Sequence, residues 1–184
     1  MNDAPPHPVA LPGSPEKKQE SRDAQKVLRL LAKELAPLGF RHTKPTFLTR
    51  PNRLGLEFVH VHKFRFAASF RVHFGLRVRT DEFPAAHLNG PTSDEMRDHE
   101  DPLRRRYEFD YGPGKESWQS CAQKMYECVR AEGLDWFAAI NNEEVLLGSQ
   151  SPLTQSAKTA LRWEVDNPST VRTSEATQWA LNAD

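Results

Sequence analysis

Arg65-Phe66-Ala67-Ala68-Ser69-Phe70-Arg71-Val72-His73-Phe74-Gly75-Leu76-Arg77-Val78-Arg79 is the stretch that decides the fold of this chain. Side chains of an extended strand point alternately to opposite faces. Phe66, Ala68, Phe70, Val72, Phe74, Leu76 and Val78 therefore share one face, and Arg65, Ala67, Ser69, Arg71, His73, Gly75, Arg77 and Arg79 share the other. The first set can seal a core while the second meets solvent or a partner. The pattern predicts a half-buried antiparallel strand with a strongly cationic outer face. Nothing in it is catalytic.

Working outward, Leu54, Leu56, Phe58, His60 and His62 alternate with Gly55, Glu57, Val59, Val61 and Lys63. This is a second strand, joined to the first as a hairpin by a turn at residues 63–65. Residues 40–50 read as one further strand, placed at a sheet edge because Pro45 interrupts it. On the other side, residues 80–102 carry Pro84, Gly90 and Pro91 and predict a long loop, of a length that is often functional or mobile. Tyr107, Phe109 and Tyr111 alternate with Arg106, Glu108 and Asp110 as a short last strand, ended by Gly112-Pro113-Gly114.

Helices flank these strands. Ala24, Val27, Leu28, Leu31, Leu35 and Leu38 make an apolar stripe over residues 15–38, with Ser14 as N-cap, Pro15 at the first helical position and Gly39 as the stop. Trp118, Cys121, Ala122, Met125 and Val129 make a second stripe, which Gly133 is expected to close. Short helical turns follow at residues 135–140 and 142–147. Ser151-Pro152 predicts the start of another helix through Leu161 and Trp163, Asn167-Pro168 its end, and residues 173–181 a last short helix. The expected class is α+β: an antiparallel sheet of about four strands covered on one face by helices. The expected organisation is a Pro-rich disordered lead-in at 1–13, one domain at 14–148, and a helical C-terminal appendage at 149–184.

Composition narrows the function classes. A chain of 184 residues with 38% apolar side chains suits one core. Lys plus Arg and Asp plus Glu stand at 25 each, so no global attraction to nucleic acid or anionic lipid follows. No apolar stretch has the length of a membrane span or the pattern of a signal peptide, and a cytoplasmic location is expected. Cys121 and Cys128 lie seven apart on one helix face, about 10 Å by helix rise and too far for an intrahelical disulfide, so they read as buried free thiols.

No reactive constellation stands out. There is no Gly-x-Ser-x-Gly elbow, neither cysteine begins a helix, and Gly112-Pro113-Gly114-Lys115-Glu116-Ser117 lacks the spacing of a phosphate loop. No cofactor is expected. No metal is expected: His60 and His62 share one strand face, and with His73 opposite in the hairpin they are weak candidates for a three-imidazole site. Asp94, Glu95, Asp98, His99, Glu100 and Asp101 form an acidic loop without the glycine spacing of a calcium loop. Arg104 and Arg105 follow it and can join Arg71, His73, Arg77 and Arg79 in a partner-binding ridge, since arginine offers a planar fork of donors. The aromatics of the decisive strand lie opposite its arginines, where they serve the core rather than stack on bases.

Leu35-Ala36-Pro37-Leu38-Gly39-Phe40 running into Phe47-Leu48-Thr49-Arg50, the strand Phe70-Arg71-Val72-His73-Phe74-Gly75-Leu76, Arg104-Arg105-Arg106, Trp118 and Gly133-Leu134-Asp135-Trp136-Phe137 resemble the motifs of a bacterial domain-of-unknown-function family. The likeness spans roughly residues 24–147, with His62-Lys63-Phe64 standing where the family tends to have glutamine and a small polar residue. It implies the fold and no chemistry. The functional expectation is a non-enzymatic protein-binding module, such as an immunity protein neutralising a bacterial toxin. The alternatives are a nucleic-acid or nucleotide-binding module using the same ridge, and a metal-dependent hydrolase built on His60, His62 and His73.

Overall fold

In the computed structural model, residues 10–181 are described. The Pro-rich stretch read as a lead-in lies mostly outside them. The expected α+β class holds, with one antiparallel sheet of five strands in the order β1-β2-β3-β4-β5. These are β1 (Arg41–Lys44), β2 (Phe47–Pro51), β3 (Leu56–Lys63), β4 (Ser69–Arg77) and β5 (Phe109–Asp110). The stretch read as one strand over 40–50 is two, because Pro45 and Thr46 form a turn that folds β1 back on β2. A proline that cannot donate to a ladder fits a turn better than a strand interior.

The decisive strand is shorter than its alternation. Phe64 N–H donates to the Ser69 carbonyl at 3.1 Å, so residues 65–68 belong to the hairpin loop. Phe66, expected in the core, is 72% exposed there. From Phe70 onward the inner face behaves as expected: Phe70, Val72, Phe74, Leu76 and Val78 are all buried.

On that face lie α1 (Pro15–Leu35), extended by a 3-10 turn (Ala36–Leu38), and α2 (Trp118–Cys128). Val27, Leu31 and Leu35 meet Cys121, Met125 and Cys128 in the main core. Gly133 does not end this helix. A π-turn (Val129–Gly133) carries the chain straight into α3 (Leu134–Ile140). A Cβ at Gly133 would come within 2.7 Å of the Phe74 ring, so glycine serves close packing here rather than termination.

The short α4 (Glu143–Leu147) precedes α5 (Gln155–Asp166) and α6 (Glu175–Leu181). Helix α5 begins after Thr154, whose hydroxyl accepts from Ala157 N–H at 3.2 Å. Ser151 instead accepts from Leu153 N–H at 3.1 Å, a local turn that sets Leu153 into the core. Ala157 and Leu161 of α5 join the same core as α1 and α2. Helix α6 packs elsewhere: Ala180 and Leu181 close over Phe58, which lies on the outer face of the sheet. Among the described residues, no helix is long and apolar enough to cross a membrane.

Candidate functional site

Register determines what the outer face offers. Across β3 and β4, Leu56 pairs with Arg77, Phe58 with Gly75, His60 with His73 and His62 with Arg71. On β2, Phe47 stands beside His60 and Thr49 beside Phe58. One end of this face is sealed, and the other keeps half-exposed rings.

At the sealed end, Arg77 is only 3% exposed. Its guanidinium donates to Thr177 Oγ1 (2.6 Å), the Ala85 carbonyl (2.6 Å), the Asp81 carbonyl (2.9 Å) and the Phe83 carbonyl (2.5 Å). Thus Arg77 ties β4 to α6 and to the start of the 80–102 loop, and it presents nothing to solvent. Arg79 donates to the carbonyls of Asn52 and Arg53 and pairs with Glu164 of α5 at 3.5 Å. The expected cationic ridge is therefore broken at these two positions. The reason is physical: a guanidinium under a helix is stable only when backbone oxygens satisfy its donors, and the loop after β4 supplies them.

At the other end, His73 is 8% exposed and buried against Thr92, its bridge partner. Phe47 and His60 rings lie 4.5 Å apart between centroids, His60 and His73 5.9 Å, and His62 and Phe64 5.5 Å. Burial pushes the His60 imidazole down to about 4, with His73, His62 and Arg71 adding to the effect. His73 is lowered too, by burial and Arg71, against Asp94. Both rings are accordingly neutral near pH 7. Three imidazoles do share the region, yet no group of three or more metal-ligating side chains converges among the described residues.

Arg71 reaches Asp94 at 3.0 Å, and Arg105 reaches the same carboxylate at 3.8 Å. The structure thus brings Arg71, His73 and Arg105 into one patch, with Arg104 next along the chain, while Arg77 and Arg79 lie apart. Asp94, the first residue of the acidic loop, is the link between the two arginines.

The 80–102 loop is ordered by β4. Gly90 N–H donates to the Phe74 carbonyl, Phe74 N–H to the Pro91 carbonyl and Ser93 N–H to the Val72 carbonyl, which covers the edge of β4 beyond β5. Residues 97–105 then fold back on themselves. Arg97 bridges Arg105, Asp98 N–H donates to the Arg104 carbonyl (3.0 Å), and Arg106 N–H donates to the Met96 carbonyl (3.0 Å). Two of the acidic side chains are spent on the turn itself. Asp98 Oδ1 accepts from the Glu100 and Asp101 amides, which hold its carboxyl below the usual range, and Asp101 Oδ1 accepts from Leu103 N–H. At the tip Leu103 is 96% exposed. Beside it is a polar cleft of about 440 Å³ lined by Arg104, Arg105, Arg106, Lys115 and Lys124 among others. Its cations are partly neutralised: Lys115 pairs with Asp110 (3.0 Å), Lys124 with Glu116, and Arg106 with Glu132 (2.6 Å).

No family model, curated protein or solved structure matches the chain.

Proposed function

We propose that this chain is a non-enzymatic, cytoplasmic protein-binding module of the immunity-protein type, and that it contacts its partner through the 97–105 hairpin. The observation that carries this reading is Leu103. A leucine at 96% exposure sits on a turn already fixed by side-chain and backbone hydrogen bonds, with Arg104 and Arg105 beside it. Burying such a side chain contributes about 1.5–3 kcal/mol. Because the turn is ordered beforehand, little of that is lost to freezing the loop. Arginines flanking an apolar anchor are frequent energetic centres of interfaces, and Arg71 extends the patch through Asp94. The fitting partner has an apolar pocket with a carboxylate rim.

The test is a comparative capture from the source organism, using wild type, Leu103→Asp and the double variant Arg104→Glu/Arg105→Glu. The expected result is one stoichiometric protein, the product of a neighbouring gene, retained by wild type and lost by both variants. The side chains are exposed, so all three proteins should unfold at the same temperature. A partner held equally by all three would place the interface elsewhere.

A further inference from the structure

Among the described residues, α6 covers the outer sheet face over Phe58. From its margin, where Phe47 of β2 packs against that cluster, a row of partly buried planar side chains continues through His60 and His62 on β3 to Phe64 just after β3. Ring centroids lie 4.5 Å apart for Phe47 and His60, 6.3 Å for His60 and His62, and 5.5 Å for His62 and Phe64. The Arg71 guanidinium lies 5.5 Å from the Phe64 ring centroid and closes the row. The aromatic residues of β4 itself are in the core, so the strand alone hides this platform. Neighbouring strands supply it.

Three further features converge here. His60 Nδ1, Arg71 Nε and His73 Nε2 are buried polar atoms that find no hydrogen-bond partner among the described residues, as is Thr92 Oγ1 beside them. Neutral imidazoles offer π faces together with one donor and one acceptor each. Along one edge of the row, Arg71 and Arg105 share the single Asp94 carboxylate, an excess of positive charge, and Arg104 follows. Flat rings bordered by arginines on an open sheet are the chemistry that holds unpaired bases by stacking and their phosphates by charge.

We propose that this face binds the nucleobases of single-stranded nucleic acid, the bases stacking on the His62–Phe64 end and phosphates meeting Arg71 and Arg105. A protein with zero formal charge has no long-range field to draw a polyanion. Binding is thus dominated by stacking and only shallowly dependent on salt. Two phosphate contacts give a slope of log K against log salt of about −1.4.

The measurement is fluorescence anisotropy of labelled oligouridylate and oligothymidylate of about twelve nucleotides, at salt from about 50 to about 200 mM, with the free mononucleotides as competitors. His62→Ala and Phe64→Ala are each expected to weaken binding about tenfold, while His62→Trp retains or tightens it. Arg71→Gln is expected to flatten the salt slope by about 0.7. Oligonucleotides that bind far more tightly than mononucleotides identify a strand as the ligand. Equal affinity per base identifies a free nucleotide with the same recognition chemistry. The proposal fails if neither oligonucleotide nor mononucleotide binds at low salt, or if binding is unchanged by His62→Ala and Phe64→Ala. It also fails if those variants abolish capture of a protein partner instead. Leu103→Asp should leave oligonucleotide binding intact, which keeps this result separate from that of the hairpin.

Discussion

Replacing Arg77 with methionine should be among the costliest single changes in this protein. The substitution keeps an unbranched chain of similar length under α6 but deletes four hydrogen bonds, to Thr177 Oγ1 and to the carbonyls of Ala85, Asp81 and Phe83. Hydrogen bonds to a charged donor contribute about 1.5–3 kcal/mol each. Part of that is recovered because the desolvation of the guanidinium is no longer incurred and because loop carbonyls can turn to water. Removing one member of a buried charged network costs about 3–5 kcal/mol in total, a large share of a stability of about 5–15 kcal/mol. Two controls bracket the figure. Thr177→Val removes one bond of the four and should cost about 1–2 kcal/mol. Arg71→Met breaks a half-exposed pair with Asp94 and should cost under about 1 kcal/mol. Urea denaturation of the three variants, with the Arg77→Met/Thr177→Val double variant to extract the coupling, reads these differences directly. If Arg77→Met unfolds within about 1 kcal/mol of wild type, or no further from it than Arg71→Met, then Arg77 does not hold α6 to the sheet.

Gly75→Ala should destabilise by about 1–3 kcal/mol, because its Cβ would fall 2.1 Å from the buried Phe58 ring, and Phe58→Leu in the same chain should recover part of the loss by thermal melting. Stability should fall with acidification between about pH 6.5 and about pH 4, since the unfolded chain protonates His60 before the folded one does. The full linkage is about 3 kcal/mol, or roughly 2 kcal/mol once partial exposure is allowed for. His60→Phe should shrink that slope and leave the part His73 contributes, while the carboxylates held low at Asp23 and Glu116 act at lower pH in both proteins. Burial pushes the Cys121 and Cys128 thiols up to about 12, so neither should react with a thiol reagent at about pH 8 until the chain is unfolded.

Period carried the fold a long way. Alternation over Phe70 to Val78 identified the central strand and its core face, and the stripes of α1 and α2 identified the helices that cover it. What escaped was everything decided by residues distant in sequence. A period-two pattern says which side chains share a face but not what lies on that face, so Arg77 read as solvent-facing although Thr177 and three loop carbonyls enclose it. Gly133 read as a stop because its contact with Phe74 is tertiary. Ser151 read as the start of α5, whereas Thr154 caps it and Ser151 closes a local turn instead. Within the candidate surface, Arg104 and Arg105 were legible as a run of arginines, whereas the Asp94 bridge depends on how the loop after β4 folds against that strand, and the row of rings on the register of β2 against β3.

The distribution of arginines separates stability from recognition. Arg77 and Arg79 bind backbone oxygens from loops and pin α6 and α5 to the end of β4. Arg77 is enclosed, and Arg79 is held by two loop carbonyls and Glu164, so both are committed to the fold before any ligand. Arg71, Arg104 and Arg105 lie at the opposite end, where they share a single carboxylate or, for Arg104, form no ion pair among the described residues. Charge reversal should therefore have opposite consequences at arginines that look equivalent in sequence. At Arg77 it should unfold the protein before it alters binding, and at Arg105 it should alter binding while leaving the fold intact. A loss of binding with unchanged stability at Arg77 would contradict this division, because its side chain reaches no solvent from which a ligand could approach.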